Sequence, residues 1–366
     1  MKNDICIRGS GVVGQVLALL LARARIGVNL VQSASTQQVD LRSFALNAAS
    51  RQVLMDLRVW PEQATPVLRM QVFGDTDSEL GFDASHQPLA WIVDAATLQA
   101  RLDVAIGFAP EISLIADQEV ASEALLTVIC EGRMSQTRKA TGASFEQFSY
   151  AQSAIAAHIV CEQPHQFTAW QWMQAGQICA FLPRGDSQSG NSVALVWSVP
   201  QVQANTLLAL PPEDFLRELG LVTRGQLGDL QLASQRVSWP LVLAQAQHWC
   251  GRATLGTWVL AGDAAHAVHP LAGQGLNLGL GDAVALAQAL ADKPYFRSFS
   301  DMKLLRAYER ARKGDAALLR IATDGLHQIF SSSDSRVQSL RNWGMQGVQA
   351  AVPLKGWVMQ RASGLR

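Results

Sequence analysis

Residues 4–32 read DICIRGSGVVGQVLALLLARARIGVNLVQ. The apolar run Ile5-Cys6-Ile7 stops at a glycine cluster, residues 12–26 (VVGQVLALLLARARI) have the density of a buried helix, and residues 28–32 (VNLVQ) return to a strand pattern. Strand, helix and strand within about 30 residues make one βαβ unit with GSGVVG in its first turn. Gly9 permits the tight turn out of the strand, Gly11 lets backbone approach a pyrophosphate, and Gly14 lets helix and strand pack closely, with the helix N-terminus facing the phosphates. On this motif alone, a glycine-rich turn of another α/β protein is the competing reading. The acid that would hold a ribose at the end of the second strand is replaced by Gln32, whose neutral amide makes the weaker hydrogen bond.

The rest of the chain narrows the setting. At 366 residues and 49% hydrophobic it has enough apolar surface for one large or two closely packed domains. Thirty basic residues balance thirty acidic ones, so no global field selects nucleic acid or an anionic membrane. Cys6, Cys130, Cys161, Cys179 and Cys250 are widely spaced, odd in number and without a CxxC pair, which argues against a disulfide framework or a zinc site and for a reducing cytoplasm. Asp4, Arg8 and the glycine cluster interrupt the N-terminal apolar run, so it does not read as a signal peptide. No stretch reaches the roughly 18 apolar residues of a membrane span. Nothing in the pattern specifies an oligomeric state.

Beyond the first unit, residues 40–60 (DLRSFALNAASRQVLMDLRVW) read as a loop leading into an amphipathic helix, 67–90 as short strands, and 88–107 as helix again. LLTVICEG, 125–132, reads as a buried strand returning to the first sheet. Residues 148–200 are strand-rich, PPEDFLREL is a short helix, RVSWPLVLAQ and TWVLAGD are strands, and everything from about 274 onward is helical. The expected fold is α/β: a Rossmann-like domain with an inserted antiparallel β-sheet substrate domain and a helical C-terminus. Its expected segments are 1–66, 91–147 and 241–330 for the nucleotide domain, 67–90 and 148–240 for the substrate domain, and 331–366 for a C-terminal helical segment.

GSGVVG at the N-terminus, DLRSFALNAAS at 40–50 and AGDAAHAVHPLAGQGLNLGLGDA at 261–283 together resemble the FAD-dependent aromatic hydroxylases (group A flavoprotein monooxygenases), and among them the ubiquinone-biosynthesis hydroxylases. LGFDA, YAQSAIAAHI, EQPH, VWSVP, WPL, YERARK and PLKGWVMQRASG extend the likeness over nearly the whole chain. It implies that NAD(P)H (NADH or NADPH) reduces FAD and that O2 supplies oxygen to an electron-rich phenolic, prenylated ring. The cofactor then carries the chemistry, so no acid–base catalytic residue is assigned.

The resemblance places Gly262 and Asp263 at the ribityl or pyrophosphate part of FAD, and Gly273, Gly275, Leu276 and Asn277 along the isoalloxazine. Two of these glycines would admit a flat ring close to backbone. It gives Arg42 to the FAD phosphates; taken alone, a solvated loop arginine is the other reading. Pro270 falls in the substrate wall. Trp170, Trp172, Phe181 and Trp197 alternate along strands as core residues do, and Trp172 and Phe181 are the candidates if one face lines a substrate cavity. His266 and His269 form HxxH in apolar surroundings with no third ligand, which reads as packing rather than metal. The pattern also departs from the family: Cys130-Glu131-Gly132 stands where an Asp-Gly pair is usual, with Arg138 beyond, and Ala95 and Ala96 replace polar residues.

Two other readings share the FAD motifs: a reductase or dehydrogenase that does not use O2, and a non-catalytic subunit of a biosynthetic complex. The tail from Asn342 to Arg366 sets Trp343, Val348, Val352, Leu354, Trp357, Val358 and Met359 beside Lys355, Arg361 and Arg366. It reads either as an amphipathic segment packed on its own domain or as a peripheral membrane or partner contact.

Overall fold

The computed structural model describes residues 3–32, 40–74, 79–116, 124–174, 176–185, 189–267 and 275–331, with side chains through residue 317. Pro270, Gly273, His269 and the tail from 332 onward lie outside the described residues.

A six-stranded sheet runs in the order β16 (Cys250–Ala253), β17 (Gly256–Leu260), β9 (Leu126–Ile129), β1 (Ile5–Arg8), β2 (Val28–Gln32), β8 (Ile112–Ala116). All pairs are parallel except β16 with β17. Parallel strands are covered on both faces, which is why Ile5, Ile7, Leu126, Val128 and Val259 have no exposed surface. Helix α1 (Val12–Arg23) packs against α3 (Ala95–Gly107) and α7 (Gly275–Ala291), and α8 (Met302–Ser331) packs on α7 and β16. Helix α1 stops at Arg23 rather than running to Ile26. Arg25 turns left-handed (φ 59°), and the Arg25 and Ile26 amides close on the Ala22 and Leu21 carbonyls, a Schellman ending that glycine more often carries.

The second sheet has nine strands: β18 (His266–Ala267), β15 (Val237–Ala246), β10 (Phe145–Cys161), β13 (Ser192–Pro200), β12 (Gln177–Pro183), β11 (Thr168–Gln174), β5 (Arg69–Phe73) and β6 (Glu79–Asp83) in order, with β14 (Leu230–Leu232) also on β10. It is antiparallel except for β5 on β11. Helices α5 (Gln201–Ala209) and α6 (Pro212–Val222) cover one face, burying Phe215 and Leu219 with Ile155, Trp170, Trp172, Phe181 and Trp197. A small third sheet, β3 (Ser43–Leu46), β7 (Ala90–Asp94) and β4 (Thr65–Val67), lies with α2 (Ala48–Asp56), and a short α4 (Gln136–Ala140) follows β9.

Three local readings change. Residues 43–46 form β3 before α2 begins, and 88–107 divides into β7 and then α3. Trp91, Ile92 and Val93 are consecutive and buried, a pattern no single helix face accommodates, and they pair on both sides with β3 and β4. The helical segment from about 274 onward divides too, since α7 ends at Ala291 and α8 begins at Met302.

An ion pair ties the small sheet to the large one. Asp94, at the end of β7, accepts from Arg184 Nη2 (2.7 Å) and Ser43 Oγ (2.6 Å), and Arg184 also donates to Ser192 Oγ (3.2 Å). Burial alone would raise the Asp94 pKa, but the hydrogen bonds from Arg184 and Ser43 overcome it and hold the carboxyl below its ordinary 3.8. Its stabilisation is therefore present above that value and lost as pH falls through the lower folded one. Asp94→Ala is expected to destabilise the protein by about 3 kcal/mol, because it removes the carboxylate opposite a buried guanidinium. Asp83→Ala, at the exposed pair with Arg69, should cost no more than about 0.5 kcal/mol. Urea titration of both variants at pH 7 and again well below pH 3.8, where the cost of Asp94→Ala should shrink, checks the ranking and the sign.

Candidate functional site

Three neighbouring parallel strands, β17, β9 and β1, end in register: Leu260 lies opposite Ile129, and Ile129 opposite Arg8. The β9 and β17 backbones stay bonded one residue further, from Cys130 N to Arg8 O and Ala261 N to Ile129 O. Just past this common edge each chain passes through a left-handed glycine, Gly9 (φ 109°), Gly132 (φ 75°) and Gly262 (φ 63°). Succession from β1 goes to one side of the sheet (β2, β8), while β9 and β17 lie on the other. The edge is therefore a topological switch point, where open α/β sheets bind ligands.

The glycines of the first turn differ in what surrounds them. A Cβ on Gly9 would sit 2.5 Å from the Cys130 carbonyl oxygen, and one on Gly14 would sit 2.0 Å from the Gly9 oxygen. A Cβ on Gly11 would meet no protein atom within 4 Å. Gly11 is the N-cap of α1 and offers no side-chain cap, so the first-turn amides are left for an anion. The turn is braced from behind: Gln99 donates to Ser10 O (3.2 Å) and to Gln15 Oε1 (2.9 Å), and Gln15 donates to Asp103 (2.6 Å). Gln15 and Gln99 were not singled out from the sequence; their helical spacing gives no cue to a contact across two helices. Gln32 is exposed at the end of β2, beside β1.

In the third turn, the Gly262 amide donates to the buried Asp282 carboxylate (2.9 Å), while Asp263 opens to solvent. Protein nevertheless surrounds Asp263 closely: burial raises its pKa, His266, Arg42 and Arg133 pull it down, and Asp282 pushes it up. Arg42 thus lies near Asp263, but its guanidinium is engaged by Asp40 (2.6 and 2.9 Å), whose hydrogen bonds raise its pKa. Gly279 and Gly262 both abut Val13, so α7, the third turn and the start of α1 meet at one point. Gly275 opens α7, a Cβ on it would meet no described atom within 4 Å, and Leu276 packs against the core. The Asn277 side chain accepts from Asn47 N (3.0 Å) and donates to Ala45 O (2.8 Å), pinning α7 to the β3–α2 junction.

The second turn is fully knitted into the protein. Glu131 accepts from Arg8 Nε (3.0 Å), Ser135 Oγ (2.7 Å), and Thr137 N (3.1 Å) and Oγ1 (2.6 Å). Buried Arg138 lies on the Phe145 ring and donates to Ala264 O (2.9 Å) and Arg133 O (2.6 Å), linking the second turn to the third. His266 meets Asp282 (2.6 Å) and stacks on Trp249. Among the described residues no cluster of three or more His, Cys, Asp or Glu could hold a metal.

Trp172 and Phe181 require a correction. Both are sealed in the core between the sheet and α5–α6, at 1% and 0% exposure, and form an edge-to-face pair. A ring with no accessible surface lines no cavity, so neither can contact substrate in this arrangement. Alternation along the strands gave two faces without saying which one the helices cover.

Residues 107–319, more than half of the chain, match the FAD-binding-domain family. The chain belongs to this family of flavoprotein monooxygenases. Its cofactor is FAD, and the open space at Gly11, the uncapped α1 N-terminus and the cleft-facing Asp263 fit a dinucleotide. The 3-demethoxyubiquinol 3-hydroxylase of Escherichia coli is 28% identical, covering 99% of each chain. Ubiquinone hydroxylase UbiL of Rhodospirillum rubrum is also 28% identical, covering 99% of this chain and 89% of that one. The solved p-nitrophenol 4-monooxygenase PnpA of Pseudomonas putida superposes with a TM-score of 0.78 at 16% identity, over 100% of this chain and 98% of that one. Among the described residues no helix is long and apolar enough to cross a membrane.

The glycine geometry separates folding from binding. Gly11→Val should fold normally yet bind FAD ~100-fold or more weakly, as expected for losing two hydrogen bonds to phosphate. Gly14→Val should fail to fold, since its Cβ meets backbone. Circular dichroism with flavin content after gel filtration distinguishes the two.

Proposed function

We propose that the protein hydroxylates a phenolic, prenylated ring with NADH or NADPH and O2, as a step in ubiquinone biosynthesis. The observation that carries this reading is a backbone one. His266 and Ala267, three and four residues beyond Asp263, pair with Gln245 and Ala244 and so join the flavin turn directly to the nine-stranded sheet. A ring held on that sheet lies beside the flavin. Full-length similarity to two hydroxylases of ubiquinone biosynthesis supports the substrate class.

FAD supplies the redox chemistry when bound, taking hydride from the nicotinamide and activating oxygen for transfer to the ring. The residues of this chain bind and orient it. Backbone amides at Gly11 and the start of α1 take the pyrophosphate, Gln32 a ribose hydroxyl, Asp263 the ribityl or pyrophosphate part, and Gly275 with Leu276 and Asn277 the approach to the ring. Arg42 reaches the phosphates by exchanging Asp40 for a phosphate oxygen. The substrate wall falls on the sheet face turned away from α5 and α6. There the register aligns Ala180, Val196, Ala156 and Val237 in one row and Ile178, Ser198, Ala154 and Trp239 in the next. Ala180, Val196, Val237 and Trp239 are partly open on that face. With Pro270, they would exclude water around the ring. The six-segment division into nucleotide and substrate domains, a cytoplasmic location and a C-terminal contact with a membrane or partner complete the proposal.

Quinone profiling of a strain lacking the protein tests the reading: a prenylated phenol short of one hydroxyl should accumulate. The purified protein should consume NAD(P)H and O2 together when that intermediate is added and release a hydroxylated product. NAD(P)H oxidation with no hydroxylated product would mark a reductase, and a flavin-free protein a non-catalytic subunit.

Asp263 adds a prediction with a definite sign. A carboxyl whose folded pKa lies above its ordinary 3.8 binds its proton more tightly when folded, so at neutral pH its ionised form opposes folding. Asp263→Asn should therefore raise the apoprotein's melting temperature at pH 7, with the gain vanishing below about pH 3.8, where both states are protonated. The same change should weaken FAD about tenfold, the worth of one hydrogen bond to a charged acceptor. Thermal melts across pH and FAD titration measure both effects.

A further inference from the structure

The YERARK segment lies on α8, and its inward side chains reach the end of β17, the start of β16 and α7 around the third turn. Tyr308 Oη donates to Leu260 O (3.1 Å), the last residue of β17. Glu309 accepts from Trp249 N (3.1 Å) and Cys250 Sγ (3.3 Å), and Lys313 holds it from the side (2.6 Å). Arg312 donates through Nε to Asp282 Oδ1 (2.7 Å) and through Nη2 to Leu278 O (3.1 Å), and Nη1 pairs with Asp315 (2.6 Å). The other Asp282 oxygen takes the Gly262 amide and His266. Asp282 has no exposed surface. Burial alone would raise its pKa, yet His266 and Arg312 keep it below the ordinary carboxylate value, so it stays an ionised acceptor.

The consequence concerns direction. A left-handed Gly262 whose amide points inward to Asp282 turns the next side chain, Asp263, outward into the cleft. We propose that Arg312 is a positioning residue for the cofactor: by fixing Asp282 it holds the Gly262–Asp263 turn in the form that presents Asp263 to FAD. Arg312 touches neither cleft nor cofactor and acts only through Asp282. This inference rests on the placement of FAD at Asp263 proposed above.

A double-mutant cycle on FAD affinity of the apoprotein, measured by fluorescence titration below the melting temperature of every variant, tests it. Arg312→Met should weaken FAD about tenfold in the wild-type background, the scale of one charge-assisted hydrogen bond. In an Asp263→Ala background it should add almost nothing, because the side chain it orients is gone. Arg312→Lys, which keeps the charge opposite Asp282, should recover much of the loss. Arg312→Gln, a neutral replacement that still hydrogen-bonds, carries the cycle if Arg312→Met does not fold. Equal losses in both backgrounds would reduce Arg312 to a stability residue and overturn the proposal, as would unchanged affinity in Arg312→Met. If Asp263→Ala alone leaves FAD affinity intact, the placement of the cofactor fails first and this inference with it.

Discussion

Three adjacent parallel strands that stop in register leave their chains no lateral room, and the rest of the structure depends on how each chain escapes. The escape at Gly9 has the least freedom, because any side chain there would enter the Cys130 carbonyl. Gly14 is constrained by Gly9 in turn, so the start of α1 is set by the exit of β1. The site at this edge is thus a by-product of packing strands and helices closely. Of the three glycines in the first turn only Gly11 faces open space, so the fold itself does not require its lack of a side chain.

Charge is distributed by the same logic. Asp282, Glu131, Asp94 and Glu309 all lie within the fold with several donors each, and all are held below their ordinary pKa. Asp263 is the exception: it is closely surrounded, receives no hydrogen bond from the described residues in keeping with its solvent-facing position, and is pushed upward by burial. A carboxylate kept at a cost to the apoprotein is what a binding site built for a polar ligand requires, since the ligand supplies the missing partners.

Much of this was legible in the residues, and the exceptions have physical causes. The βαβ unit could be read because period and turn chemistry agree over residues 4–32. The division of 88–107 into β7 and α3 could not, because Trp91, Ile92 and Val93 suit a buried strand or a buried helix until β3 and β4 are seen on either side. Helix α5 escaped notice because QVQANTLLA carries no marked apolar face. The role of Asn277 in clamping Asn47 and Ala45, and that of Gln99 in bracing Ser10, are contacts across 230 and 89 residues, which spacing along a chain does not encode. Trp172 and Phe181 were placed on strands correctly but their face was undetermined, and the choice depended on α5.

Of the connections between the nine-stranded sheet and the glycine turns, two differ in kind. The β18–β15 pairing is backbone to backbone and so indifferent to side chains. Side-chain identity on the sheet's open face can then change without disturbing the turn that holds Asp263. The Asp94–Arg184 bridge, by contrast, depends on two particular side chains and joins β7, which leads directly into α3, to the far end of β12. Helix α3 carries Gln99, which braces Ser10 in the first glycine turn. The bridge therefore lies two short steps from that turn, through rigid elements rather than loops. A change in the sheet that strains Arg184 would reach the first glycine turn, while the third turn, held by backbone pairing and Asp282, would stay in place. The first and third turns are thereby coupled to the nine-stranded sheet through separate connections, one by charge and one by backbone geometry.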